Sequence, residues 1–381
     1  MRNNISKFSS DCYGCGVCVI ACPKKIIDLE LNRDGFYSPV IHEQDKCIDC
    51  GICLDICAYN HDELATPPDM ADIKDYGCWS KDESVRQECT TGGLGYEIAR
   101  SAIHDNEKAC VVKYDVDKMR AEHYIADSIE DLQSARGSKY IPSYTQSGFE
   151  QIKKDERYVV FGLPCQIDSM RRYIKRFKIE RNMQLIDLLC YGAPSLLLWQ
   201  RYLEELGDAT GKVQQVKFRS KEYGWHNSAC VEIEGEKRHL IQDAKNSLFY
   251  GLFFTDSCLN KCCHGKCKYK LLSSSADIRI GDFWGKKYAN NDQGVNVLIS
   301  FNETGDGIVE KLKERCVFQP ATLEEAMDKQ MPGNAPSTPI TRSGVLYGIR
   351  NRIPLRLIYV LLKLWIALTH PGKVFKKIFK H

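Results

Sequence analysis

The chain has no apolar run near its start. The opening "MRNNISKFSSDC" lacks the hydrophobic core of a secretory leader, so export is not expected. Without export there is no oxidising compartment in which its 19 cysteines would pair as a disulfide framework, and a cytoplasmic setting is expected. Nor is there an uninterrupted run of the ~20 apolar residues that a bilayer crossing needs. The nearest approach, in "IPLRLIYVLLKLWIALTH", is broken by Lys363. Acidic residues are missing altogether from position 329 onward, although ten of the 53 Lys and Arg residues fall there. This leaves a mildly acidic body with a basic end. No nucleic-acid-binding motif accompanies those charges, so nucleic acid is not an expected partner. The end segment reads in two ways. One is a helix packed on the body or on a partner, favoured because its central residues are apolar almost all round. The other is a basic amphipathic helix on an anionic membrane surface.

What the chain has in abundance is clustered cysteine. "CYGCGVCVIACP" places Cys12, Cys15, Cys18 and Cys22 at C-x2-C-x2-C-x3-C-P, and "CIDCGICLDICA" repeats the spacing with Cys47, Cys50, Cys53 and Cys57, Ala58 replacing the proline. Three closely spaced cysteines can wrap one face of an iron–sulfur cube, and the fourth of each run reaches across to the other cube. The expected sets are therefore Cys12, Cys15, Cys18, Cys57 and Cys47, Cys50, Cys53, Cys22. A zinc module would instead pair two cysteines with two distant ligands, which fits the runs less well. Between them, "IIDLELNRDGFYSPVIH" predicts a hairpin turning at "NRDG". Residues 1–64 thus resemble a bacterial-type ferredoxin with two [4Fe–4S] clusters.

Beyond a linker at "ATPPDMADIK", the pattern alternates. "EIARSAIHD", "FEQIKKD", "QIDSMRRYIKRF" and "SLLLWQRYLEELG" predict helices, while "KACVVKYD", "RYVVFG" and "MQLIDLLC" predict strands. Such alternation implies a parallel or mixed sheet covered by helices, with ligands at the carboxyl ends of its strands. "TTGG" (90–93) stands just ahead of a helix. It is either a simple cap and turn or a place where a dinucleotide pyrophosphate approaches oriented N–H groups.

Six motifs in order carry a resemblance: "TTGG", "ARGSKY" (135–140), "GLPCQID" (162–168), "DLLCYGAPS" (187–195), "FRSKEYGW" (218–225) and "ADIRIGDFWG" (276–285). Over roughly 78–345 the chain is similar to the coenzyme F420 hydrogenase/dehydrogenase beta-subunit family. The resemblance implies FAD beside Thr91, Gly92 and Gly93, with Ser138 and Lys139 as further contacts. It also implies a third [4Fe–4S] cluster on Cys165, Cys190 and two residues of "CLNKCCHGKC" (258–267), of which Cys267 is one. Cys263 is the expected other, with Cys262, Cys258 and His264 remaining open. Read without the resemblance, Cys165 and Cys190 could be small buried residues at strand ends, and Cys165 a helix-start nucleophile. Cys78, Cys89, Cys110, Cys230 and Cys316 show no ligand spacing.

The expectation is an α/β protein, α+β overall. A ferredoxin-like domain (1–64) precedes a helix-covered mixed-sheet flavin domain (78–345) and a basic, apolar helical tail (346–381). It would pass electrons between a ferredoxin-like donor or acceptor, [4Fe–4S] clusters, FAD and a small-molecule hydride acceptor. The rivals are a pure electron-transfer subunit docked on a catalytic protein, a coenzyme F420 oxidoreductase proper, and a redox-sensing or zinc-stabilised binding protein. No catalytic residue is singled out.

Overall fold

Local chain geometry explains the N-terminal module. In the computed structural model, which describes residues 12–265, 267–330 and 336–369, β1 (Ile27–Leu31) and β2 (Tyr37–Ile41) pair antiparallel with Leu31 opposite Tyr37. Asn32 closes the turn, its side-chain oxygen accepting from the N–H groups of Asp34 and Phe36 at 3.0 and 3.1 Å. The hairpin expected at "NRDG" is therefore present. Short helices Val17–Ala21 and Ile52–Asp55 flank it.

The body is a nine-stranded mixed sheet. Its strands are β3 (Lys74–Ser80), β4 (Lys108–Asp115), β5 (Arg120–Ala126), β6 (Ser143–Tyr144), β7 (Tyr158–Gly162) and β8 (Met183–Leu188), with β12 (Ile278–Asp282), β13 (Asn296–Ser300) and β14 (Cys316–Ala321). Their order is β14-β3-β13-β12-β8-β7-β4-β5-β6. Neighbours among β12, β8, β7 and β4 run parallel. This is the fully covered sheet expected of strands such as "RYVVFG", whose Val159 and Val160 are wholly buried. A separate three-stranded sheet, β9 (Val213–Lys217), β10 (Cys230–Gly235) and β11 (His239–Asp243), follows helix Leu196–Thr210.

Helix Leu94–His104 covers one face, burying Leu94, Ile98, Ala99 and Ala102. Burial of a Leu or Ile side chain is worth about 1.5–3 kcal/mol. On helix Pro164–Phe177 the proline sits at the start, where its missing N–H costs nothing, and Ile167, Met170 and Ile174 are buried. Two expectations are corrected. "FEQIKKD" is not a helix: the helix is the single turn Gln146–Phe149. "EQIKKDE" offers only Ile152 as an apolar anchor, so no stripe could hold a longer helix. The sheet also starts earlier than residue 78, because β3 opens at Lys74 and runs antiparallel between β13 and β14.

One hydrophobic core spans the N-terminal module and the body, including Val17, Leu29 and Ile56 with Phe149, Met170 and Trp199. The connecting segment is pinned rather than free. Ala65 N–H donates to Asp168 (2.7 Å), and Thr66 N–H to Ser275 (3.2 Å). The end of the chain forms helices Arg342–Arg350 and Leu355–Thr369. Leu355, Ile358 and Leu362 pack inward. Among the described residues, no helix is long and apolar enough to cross a membrane.

Between neighbouring strands β8 and β12, Asp187 and Arg279 are wholly buried register partners. They form two parallel hydrogen bonds of 2.7 and 2.6 Å. Ser274 donates to the same carboxylate (2.7 Å), while Arg279 also reaches the carbonyls of Leu271 and Ser273. Removing one member of such a pair strands the other, so Asp187→Ala should cost about 3–5 kcal/mol. Denaturant unfolding checks this; a loss under 1 kcal/mol would mean the pair is not a stabilising link.

Candidate cysteine relay and cofactor cavity

The cysteine loops are built on glycines that turn the chain where a side chain could not. Gly14 has φ +70, and a Cβ there would lie 2.6 Å from the Tyr37 carbonyl. Cys12, Cys15, Cys18 and Cys57 form one group. Burial, then the charges of Cys15 and Cys57, push the Cys12 thiol far above its ordinary range. Cys18 is raised by burial and by the other three together with Cys53. Cys22, Cys47, Cys50 and Cys53 line a small cavity of about 20 Å³ at the outer end, where Cys50 is exposed. The structure brings the members of each expected set near one another.

A third group gathers where β7 and β8 end. The Cys165 thiol is raised by burial first, then by Cys190, Cys15, Cys263 and Cys267. The Cys190 thiol is pushed up to about 12 by burial and by Cys263 and Cys267, with Lys270 opposing. Cys263 accepts the Ala193 N–H at 3.4 Å. The alternatives in "CLNKCCHGKC" have other partners too, although Cys262 also hydrogen-bonds Cys263 and bears on Cys165. Cys258 donates to the Leu252 carbonyl at 3.7 Å, and Cys262 to the Cys12 carbonyl at 3.4 Å. His264 is buried with Arg342 and Asp256 among its charged neighbours. Among the described residues no three His, Cys, Asp or Glu side chains close round a single metal ion. The cysteine groups are looser sets of four thiols, the donor type and number that a cube takes.

The three groups follow one another. Cys53 belongs to the outer group and bears on Cys18 of the inner one. Cys15 of the inner group bears on Cys165 of the third. Tyr13 sits at this second junction, its ring meeting that of Tyr269 edge-on at 5.7 Å, with Cys165, Cys262, Cys267 and Cys263 around it. Ser169, one turn after Cys165, ties the junction together by accepting the Ala58 N–H (3.1 Å) and pairing with the Cys15 sulfur (3.4 Å).

Cys190 in turn lines the larger of two adjoining cavities, of about 400 and 230 Å³, at the carboxyl ends of β7, β8 and β12. Thr91, Ser138, Lys139, Leu163, Leu188 and Asn296 border both. The smaller opens on Thr90, Thr91 and the first turn of helix Leu94–His104, whose cap Gly93 has φ +84. A Cβ on Gly93 would also press to 2.9 Å from Val85. "TTGG" and "GSKY" are joined there, since Ser138 N–H donates to the Thr90 hydroxyl at 2.8 Å. Of the expected contacts, Thr91, Gly93, Ser138 and Lys139 line this cavity; Gly92 instead packs against Asn296 and the Cys78 carbonyl.

Two lysines hold the surrounding loops by their ammonium groups. Lys139 donates to the carbonyls of Ser134, Ala135 and Arg136, and Lys221 to those of Arg86, Thr91 and Gln293. Burial lowers Lys139 to about 7 and Lys221 to about 8. His123 lines the smaller cavity, and burial lowers it to about 4, so it is neutral at pH 7. One ring nitrogen pairs with the Phe161 carbonyl (3.1 Å); the other, Nδ1, is buried without a hydrogen-bond partner.

Asp282 is the meeting point of separate motifs. It accepts from Thr91 of "TTGG", from Arg219 (2.6 Å) and Trp225 (3.0 Å) of "FRSKEYGW", and stands in "ADIRIGDFWG" itself. Trp225 stacks on Trp284, with ring centres 5.2 Å apart and planes 7° from parallel. Phe283 is wholly buried in the core, whereas Trp284 lines the larger cavity with Arg219, His226, Tyr140 and Tyr250. Sequence reasoning quoted the motifs but gave Arg219, His226, Lys221, Asp282 and His123 no place in a site. The three charged residues Arg219, Lys221 and Asp282 all stood inside quoted motifs. His123 lies on β5, a strand that no periodicity revealed.

A mixed sheet with a joined cavity at its strand ends and a cysteine-lined approach defines a redox protein class. Sequence models of the coenzyme F420 hydrogenase/dehydrogenase beta subunit, N-terminal and C-terminal, match residues 76–148 and 155–326, and a 4Fe-4S dicluster domain matches 11–61. The chain belongs to this oxidoreductase-subunit family, and its N-terminal module is an iron–sulfur domain. Among solved structures it is similar to a chain of the F420-reducing [NiFe] hydrogenase complex from Methanosarcina barkeri. The two share 16% identity over 76% of this chain and 93% of that one, with a TM-score of 0.48. No curated protein matches the chain.

Cys263 and Cys267 each bear on both Cys165 and Cys190, which makes them the expected ligand pair if this group holds a cluster. Cys267→Ser should lose about four iron atoms while the N-terminal clusters remain, because serine is a poor ligand for an iron–sulfur cube. Cys263→Ser should behave likewise and Cys262→Ser like wild type. Iron and sulfide analysis of anaerobic preparations checks this; full iron in Cys267→Ser would remove Cys267 from the ligand set.

Proposed function

We propose that this protein is an iron–sulfur flavoprotein oxidoreductase. It would exchange single electrons with a ferredoxin-like partner at one end and deliver a hydride to a small molecule at the other. The observation that carries this reading is the position of Cys190, which belongs to the third cysteine group and also lines the larger cavity. In this reading Cys12, Cys15, Cys18, Cys57 and Cys22, Cys47, Cys50, Cys53 hold the two N-terminal [4Fe–4S] clusters. Cys165, Cys190, Cys263 and Cys267 hold a third.

Three features support FAD as the occupant of the cavity in this reading: two adjoining lobes, a glycine-capped helix start, and an unpartnered buried His123 nitrogen. When bound, flavin supplies the exchange between single electrons and a hydride. Thr91, Gly93, Ser138 and Lys139 would hold it, with Gly92 setting the close packing behind the loop. The helix start offers N–H groups and partial positive charge to a pyrophosphate. Arg219 and His226 would orient the acceptor, and the stacked Trp225 and Trp284 would keep water from that wall. Charged and polar groups in the larger cavity, including Lys329 and Gln330, favour an enzyme with its own substrate over a module that only relays electrons. The family name makes coenzyme F420 the first acceptor to try.

Anaerobically purified protein should contain about twelve iron atoms, matching sulfide and little zinc. It should also carry one FAD that is reoxidised by its acceptor. Stoichiometric zinc without sulfide would sink the reading. Gly93→Asp should abolish FAD binding with iron retained, since it places a negative charge at the helix start; unchanged flavin content would reduce "TTGG" to a cap.

A further inference from the structure

The helix Leu355–Thr369 has two apolar stripes, one buried against the body and one exposed among the described residues. Leu355, Ile358 and Leu362 are buried, with Tyr359 and Ile366 partly buried beside them, a spacing that keeps one side of a helix against the body. Tyr359 lies over Gly251 of helix Leu248–Phe253, so closely that a Cβ there would come within 3.0 Å of its ring. Glu205 accepts the Leu355 N–H at 3.0 Å, and Glu204 pairs with Arg352 at 2.8 Å. The helix is thus fixed to the body from its first residue.

The opposite side carries Leu357, Val360, Leu361, Leu364, Trp365 and Leu368. These positions recur at three- and four-residue intervals and form a second continuous stripe. All six are exposed, Leu361 at 55%, Leu364 at 56% and Leu368 at 82%. Contiguous exposed apolar surface of this kind marks an interaction face rather than scattered surface leucines. Arg356 and Lys363 lie together on its flank. Lys373, Lys376, Lys377 and Lys380 follow in sequence, and no acidic residue occurs from 329 to the end.

We propose that this second stripe docks on an anionic lipid surface, with the flanking and following basic residues meeting the lipid headgroups. The charge decides between occupants. A second copy of this chain would bring an equally basic segment against the first, and the like charges would repel. An anionic bilayer satisfies both halves of the pattern at once: leucines and a tryptophan for the acyl boundary, lysines for the phosphates. Helix Leu248–Phe253, on which the docking helix packs, also supplies Tyr250 and Phe253 to the larger cavity. Docking would therefore hold that cavity's aromatic wall one helix layer from the lipid.

The test is co-sedimentation of the full-length protein with vesicles of phosphatidylcholine alone or mixed equally with phosphatidylglycerol. Binding is expected only to the mixed vesicles, and it should weaken at about 0.5 M salt through screening. Leu361→Glu with Leu364→Glu should reduce the affinity about ten-fold or more, because it removes apolar contact and adds repulsion. Unchanged iron content and visible spectrum would show that this variant is folded. If it is not, Lys376→Glu with Lys377→Glu, in the basic sequence that follows, should lower binding to the mixed vesicles instead. Equal binding to neutral vesicles, no binding to either, or no effect of a folded variant overturns the proposal. So does a dimer in sedimentation velocity that the leucine variant disrupts, which would assign the face to a second copy.

Discussion

The relative position of the cysteine groups depends on two turns of one helix. Helix Pro164–Phe177 presents Cys165 to the third group from its start. One turn later Ser169 binds the inner group's Cys15 and the N–H of Ala58. Asp168, wholly buried, accepts from Ala65, Tyr269 (2.9 Å) and Ser275 (2.5 Å). Arg171 then reaches Asp277 at 2.6 Å and the Ser275 carbonyl at 2.9 Å. Within seven residues the chain joins the iron–sulfur module, the connecting segment, the loop after "CLNKCCHGKC" and the sheet. A relay needs fixed spacings between its stations, and a helix one turn long between two of them is about the stiffest spacer a chain can form.

The rest of the docking serves the same end from the other side. Thr145 donates to the Cys15 carbonyl at 3.0 Å, and Gln146 bridges the Leu29 N–H and Asp28. Lys268 binds the carbonyls of Ala58, His61 and Glu63. Many of these bonds use backbone groups of the module, which leaves its side chains free to fill the shared core. Around the cavity the same device recurs with Lys139 and Lys221. A buried ammonium is costly unless its hydration is replaced, and three carbonyl oxygens replace it for each.

The cysteine runs, the hairpin between them and most of the alternating elements were legible because each is a local pattern. Ligand spacing, turn residues and period-3.6 or period-2 burial all act within a few residues. Three things were not legible in that way. Strand β3 occupies an antiparallel place between β13 and β14, although more than 200 residues separate it from either. Strand β5, with His123, is defined by its pairing with β4. The turn Gln146–Phe149 is set by what Gln146 reaches across to bind.

The sequence by itself determined where the candidate residues stand: eight cysteines in two spaced runs and glycines just ahead of a helix, with a third cysteine set implied only by the family resemblance. The two runs and the glycines follow from covalent spacing, which is a property of the chain alone. Tertiary structure decided which cysteines meet. Nothing in "CLNKCCHGKC" distinguishes Cys263 from Cys262; in the fold the two thiols hydrogen-bond each other, Cys263 also accepting from the Ala193 N–H and Cys262 also donating to the Cys12 carbonyl. It also decided that Thr91, Arg219, Trp225 and Asp282, scattered over almost 200 residues, share one carboxylate. That convergence comes from strand order, and strand order is an outcome of long-range burial that no local pattern records.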